Sequence, residues 1–115
     1  LVSRSAANPG TTADNQSLPM QVSASGSHIL FTSSASDLVS GVTDNNATFD
    51  AFLYERGSGM TTLLTTAAGN PAEAASGQMN NAVMSADLRW LVVNTRGNNM
   101  VAGQVDSVGT DDLFL

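Results

Sequence analysis

A chain of 115 residues, 42% hydrophobic and only 12% charged, has the apolar content of one ordinary folded domain and excludes a charge-driven disordered tail. It has no lysine, and its four basic residues Arg4, Arg56, Arg89 and Arg96 leave a net charge of −6, so a phosphate backbone is repelled and nucleic acid is not an expected partner. The absence of cysteine removes disulfides, thiolate zinc sites and thiol nucleophiles, and no apolar run approaches the roughly 20 residues needed to cross a bilayer.

In chain order, Leu1-Val2-Ser3 reads as a short outer strand, and Met20 to Ser23 alternates apolar and polar residues as a half-buried strand does. The small residues Ala24 to Ser27 form a hairpin loop into His28 to Thr32, whose near-continuous apolar run suits a strand covered on both faces. A long polar excursion, Ser33 to Phe49, follows, and its one apolar pair, Leu38-Val39, is expected to tuck back onto the sheet as an anchor. Ala51 to Tyr54 is the third strand; Glu55 to Gly59 supplies a flexible loop, and Thr61 to Thr65 is the fourth strand. Ala67 to Asn80, rich in Ala and Gly, reads as a connector with a helical turn at Pro71 to Ala75. The pattern then starts again: Ala82 to Ser85, a loop at Ala86 to Arg89, Trp90 to Asn94, the pair Met100-Val101, and Leu113 to Leu115.

The recurrence has one constant offset of 62 (85 − 23), which lays Leu1 to Leu53 over Leu63 to Leu115 without a gap. Ser23-Ala24 falls on Ser85-Ala86, Gly41 on Gly103, Asp44 on Asp106, and Asp50 to Leu53 on Asp112 to Leu115. A period of this size belongs to modular arrays whose units bury apolar faces against one another. The expected architecture is therefore all-β, with antiparallel four-stranded units. Residues 1–3 form an outer strand of a preceding unit, residues 4–65 the first repeat, and residues 66–115 a second repeat lacking its outer strand.

Motifs that carry chemistry are few. His28, the only histidine, holds the place that Trp90 holds in the second copy, which makes it a packing or rim residue. No Gly-x-Ser-x-Gly elbow accompanies the abundant serines. The carboxylates Asp44, Asp50, Asp106 and Asp112 are weak calcium candidates, since Asp and Asn oxygens with backbone carbonyls suit that ion. The alternative for Asp50 and Asp112 is that they end turns by accepting nearby backbone N–H groups. No other cofactor is expected. Leu1, Val2 and Ser3 at one end, and Leu113, Phe114 and Leu115 at the other, are the expected interaction edges, since both present unpaired ladder groups.

The ordered words Val22-Ser23-Ala24-Ser25-Gly26-Ser27-His28-Ile29-Leu30-Phe31, Ser34-Ala35-Ser36-Asp37-Leu38-Val39-Ser40-Gly41 and Asp50-Ala51-Phe52-Leu53-Tyr54-Glu55-Arg56-Gly57, ending in Thr61-Thr62-Leu63-Leu64-Thr65, resemble the TolB-like, WD-repeat-like β-propeller blade of bacterial exported proteins. The resemblance implies radially packed four-stranded blades, a secreted or periplasmic cell-envelope location, and a non-catalytic scaffold that binds a protein partner or copies of itself. It leaves two other readings: a self-assembling structural subunit joined by strand exchange, or the propeller portion of a larger hydrolase. The family's acidic excursion is reduced here to Gly41-Val42-Thr43-Asp44-Asn45 and Gly103-Gln104-Val105-Asp106-Ser107, without the leading carboxylate of a calcium loop.

Overall fold

A computed structural model describes residues 1–106 and 109–115, and among them there is no helix. Strands β1 (Ser17–Val22), β2 (His28–Ser33), β3 (Asp50–Glu55) and β4 (Met60–Leu63) form an antiparallel sheet in sequential order. A short hairpin, β5 (Thr66–Ala67) and β6 (Asn70–Ala74), leads to a three-stranded antiparallel sheet of β7 (Met79–Met84), β8 (Leu91–Thr95) and β9 (Asp112–Phe114). The all-β, antiparallel expectation is met.

Register explains why β2 is apolar on both faces. Leu30 lies opposite Leu53 and Thr32 opposite Ala51, whereas Phe31 lies opposite Phe52, which in turn faces Leu63. Alternation sends these two sets to opposite sides of the sheet. On one side Phe31 and Phe52 stack with centroids 5.5 Å apart and bury Ala35, Leu38, Leu63 and Ala74, with Val2 packed beside them. Leu38 is thus the anchor expected of the long excursion. On the other side Leu30 and Ala51, both 0% exposed, meet Met79, Ala82, Met84 and Val93 of the second sheet. The second sheet is therefore what excludes water from the first.

The period of 62 is written into the hydrogen bonds. Ser23 N donates to His28 O and Ser85 N to Trp90 O; Ser34 N donates to Gln16 O and Arg96 N to Gln78 O. Ala6 N donates to Asp37 O as Ala68 N does to Asn99 O. Side chains repeat too, since the Ser33 hydroxyl donates to Gln16 O and the Thr95 hydroxyl to Gln78 O. Even the left-handed residues correspond: Gly26 has φ 68° and its counterpart Leu88 has φ 64°.

Two local expectations differ. The segment expected to hold a helical turn at Pro71 to Ala75 contains β6, because Thr43 of the first repeat captures its backbone. Thr43 N donates to Ala72 O at 2.8 Å and Ala74 N to Thr43 O at 2.9 Å, so tertiary pairing overrides the local preference of a Pro-Ala-Glu-Ala run for helix. Leu1 to Ser3, expected as a strand, is irregular. Ala13 N donates to Ser3 O and Arg4 bridges Thr12, in the same geometry in which Ala75 N donates to Thr65 O and Thr66 lies opposite Ala74. The first 13 residues are thus a shorter copy of the inter-unit hairpin, folded back onto the first sheet.

Candidate functional site

A buried carboxylate sits at the junction between the two repeats. Asp50, at the start of β3, is 1% exposed. Its Oδ1 accepts the Thr65 hydroxyl at 2.6 Å, and its Oδ2 accepts Asn46 Nδ2 at 3.0 Å. Thr65 closes the motif by accepting the Ala51 amide at 3.1 Å. Asn46 in turn donates to Ala75 O at 2.6 Å, while its Oδ1 accepts the amide and hydroxyl of Thr48. Desolvation raises the Asp50 carboxyl to about 6; the Thr65 and Asn46 hydrogen bonds oppose that rise, and the neighbouring Asp44 charge adds to it. This carboxylate therefore ties the excursion, β3 and the inter-unit hairpin together.

A second polar fastening lies nearby. Gln21 of β1 donates through Nε2 to Met84 O at 2.8 Å and accepts Met84 N through Oε1 at 2.9 Å, so one amide side chain completes the edge of β7. Each buried backbone group paired this way avoids a desolvation penalty of about 1–3 kcal/mol.

The four calcium candidates fall into two different settings. Asp44 and Asp50 are brought together by Asn46, whose amide donates to Asp44 Oδ1 at 3.2 Å; Asp44 Oδ2 is buried without a hydrogen-bond partner. Asp106 accepts the Gly109 amide at 3.1 Å, whereas Asp112 lies exposed on β9 opposite Thr95. Among the described residues, no group of three or more His, Cys, Asp or Glu side chains is placed to hold a metal ion. Asp111 is engaged elsewhere, paired with Arg96 Nε at 2.9 Å and accepting Asn80 Nδ2.

His28 sits at the rim, its Nδ1 within 2.8 Å of the Ser27 hydroxyl and its Nε2 3.9 Å from Glu55. Its counterpart Trp90 is largely exposed. The methionines divide between core and surface, with Met79 and Met84 buried and Met60 exposed.

The second sheet repeats the apolar face of the first but leaves it open. Val92 is the counterpart of Leu30 and is 38% exposed; Leu113 is the counterpart of Ala51 and is 72% exposed. With Val83 and the flanking Asn81 and Asn94 they outline a shallow hollow. Around the edge of β9, a groove of about 400 Å³ is lined by Leu91, Val93, Met100, Phe114 and Leu115. At the opposite end of the molecule Val2, Leu18, Val22, Ile29 and Phe31 line a second apolar groove of about 340 Å³. Of the expected interaction residues, Phe114 and Leu115 line the first groove, and Val2 and Ser3, both half-buried, line the second.

Sequence reasoning missed Thr65, Asn46 and Gln21. For Thr65 a signal existed, since a hydroxyl recurs at Ser3 and Thr65 and a carboxylate at Asp50 and Asp112 with the common period. Gln21 had no signal, because its counterpart is Val83. No protein-family description, curated protein or solved structure matches this chain.

Proposed function

We propose that this chain is a pair of blades of the TolB-like, WD-repeat-like propeller kind, acting as a non-catalytic scaffold of an exported or cell-envelope protein that binds protein partners through its uncovered sheet and rim loops. The observation that carries this reading is the open apolar face of the second sheet, where Val92 and Leu113, at positions equivalent to the buried Leu30 and Ala51, lie exposed beside Val83. Apolar area of this kind, bordered by neutral amides rather than charges, suits a macromolecular surface. Blade-like order is supported by the sequential antiparallel strands and by hydrogen bonds repeating at 62.

The test is photo-crosslinking from position 113 in an exported-protein extract, with Val92→Asp as the control and enzymatic assays on ester, peptide and glycoside probes alongside. The expected result is a discrete crosslinked protein, competed by excess unlabelled chain and lost with Val92→Asp. Turnover of any probe by the purified chain, or crosslinking that Val92→Asp leaves unchanged, would overturn the proposal.

A further inference from the structure

Of the four arginines only Arg4 is not exposed, and among the described residues no carboxylate pairs with it. Its Nη2 donates to Gly59 O at 2.6 Å, and its guanidinium carbon lies 5.9 Å from the centre of the Tyr54 ring. A carbonyl and a ring face hold the group in place without neutralising it, so a half-buried cation stands without a counter-ion in a chain of net charge −6. Arg4 lines a groove of about 290 Å³ whose apolar walls are Pro9, Leu38, Val39 and Met60. The first residues of β4 form one side of this groove, and β4 is the outermost strand of its sheet.

The opening is a property of the first unit itself. Residues 66–72, one period on from residues 4–10, have a unit before them, yet the two stretches match position by position: Arg4 and Thr66 are half-buried, Ser5 and Ala67 buried, and the five following pairs exposed. A preceding unit changes burial on either side of this stretch instead, since Ser3 is half-buried where Thr65 is buried, and Thr12 is exposed where Ala74 is buried. It leaves the residues that line the groove open.

We propose that this groove takes the C-terminal residue of a peptide, with its free carboxylate on Arg4, an apolar last side chain against Val39 and Met60, and its extended backbone beside β4. A guanidinium presents its N–H donors as a planar fork that matches a carboxylate. One arginine balances one negative charge, whereas a phosphate dianion would keep an unbalanced charge in an already acidic chain; the apolar walls likewise favour an anion that carries an apolar side chain. The edge of β4 adds main-chain pairing, which is indifferent to the peptide's preceding residues. Gly59 keeps the fork clear, since a Cβ there would lie 2.7 Å from Arg4 Nη2. The site shares no residue with the open face of the second sheet, so it goes beyond the binding surface proposed above and stands independently of it.

The experiment is fluorescence anisotropy of a labelled six-residue peptide ending in valine and leucine with a free carboxylate, titrated with the 115-residue chain. The same peptide amidated at its C-terminus is titrated alongside, and N-acetyl-leucine and inorganic phosphate serve as competitors. The free acid is expected to bind, and the amide at least about tenfold more weakly, as loss of a charge-assisted hydrogen bond requires. Arg4→Gln should bring the free acid down to the level of the amide and leave the amide unchanged. Met60→Glu, at a side chain 64% exposed and so without consequence for folding, should weaken the free acid through charge repulsion; thermal unfolding of both variants is the fold control, and if Arg4→Gln does not fold, Met60→Glu and the amide comparison decide. A free acid that does not bind at millimolar concentration, equal binding of acid and amide, or binding that ignores the substitutions overturns the proposal. Displacement by phosphate, or by N-acetyl-leucine as effectively as by the unlabelled peptide, also overturns it, and assigns the groove to a bare anion or a small apolar acid.

Discussion

Replacing Asp50 by Asn should abolish a pH dependence of stability that one buried carboxyl imposes on the whole fold. Burial displaces that carboxyl from 3.8 to about 6 despite hydrogen bonds from Thr65 and Asn46, with Asp44 adding repulsion. Between those two values the folded chain holds a proton that the unfolded chain has released. The Asp50 contribution to stability is therefore greatest below pH 3.8, declines as pH rises through the window, and levels off above about pH 6. At about 1.4 kcal/mol per pH unit the full decline is roughly 3 kcal/mol. Asp14 and Asp87 act in the opposite sense and elsewhere: the Ser36 hydroxyl holds Asp14 low and the Ser85 hydroxyl holds Asp87 low, so their contributions are lost only as pH falls below 3.8. Asn at position 50 keeps an oxygen for the Thr65 hydroxyl but sets its amide against the Asn46 Nδ2 donor, which costs about 1–3 kcal/mol at every pH. The variant should thus show a flat profile, below the parent in acid and close to it at neutral pH. Urea unfolding of both proteins between about pH 4 and about pH 7 reads this directly through the midpoint at constant slope. A parent that gains stability across that window, or a variant that keeps the parent's decline, refutes the assignment of the window to Asp50.

Equivalent positions give the remaining predictions. Leu30→Ala should cost about 2–5 kcal/mol, whereas Val92→Ala, one period away on the open face, should cost less than about 1 kcal/mol; comparable losses in thermal unfolding would mean that the second face is covered in the isolated chain. Gly26→Ala should destabilise by about 1 kcal/mol in thermal unfolding, because a φ of 68° strains any side chain placed there. Gln21→Ala should lower stability by about 1–3 kcal/mol and raise amide exchange at Met84 while leaving that at Ser85, which donates to Trp90 O, unchanged, since only Met84 loses its acceptor.

What could be read from the chain was whatever repeats. The period of 62 placed seven of the strands to within a few residues, because β-branched and aromatic residues recur at those positions between turn-forming ones. It also located the Leu38 anchor and the two apolar ends. The β5–β6 hairpin was hidden because β6 owes its conformation to Thr43, nearly 30 residues earlier, and no local pattern in Asn70 to Ala74 encodes that pairing. The candidate carboxylates were visible as a set, but their difference in role was not. Asp50 is buried, bonded to Thr65 just before the hairpin that follows it, whereas Asp112 is exposed.

That last contrast is informative about where function resides. Between the repeats, positions whose backbone is hydrogen-bonded within a unit keep their geometry while side chains drift, as His28 and Trp90 do: both backbone amides donate to the serine hydroxyl five residues earlier. Positions that act between units divide. Thr65 and Ser3 keep the hydroxyl, Asp50 and Asp112 keep the carboxylate, and Leu63 and Leu1 are identical, whereas Gln21 gives way to Val83 and Thr43 to Val105. An exposed aspartate and a largely exposed leucine need no such restriction for the stability of a single copy, since neither contributes buried area there. A junction of the design seen at Asp50 needs a hydroxyl, a carboxylate and an apolar side chain at these positions, and Ser3, Asp112 and Leu1 supply all three one period away.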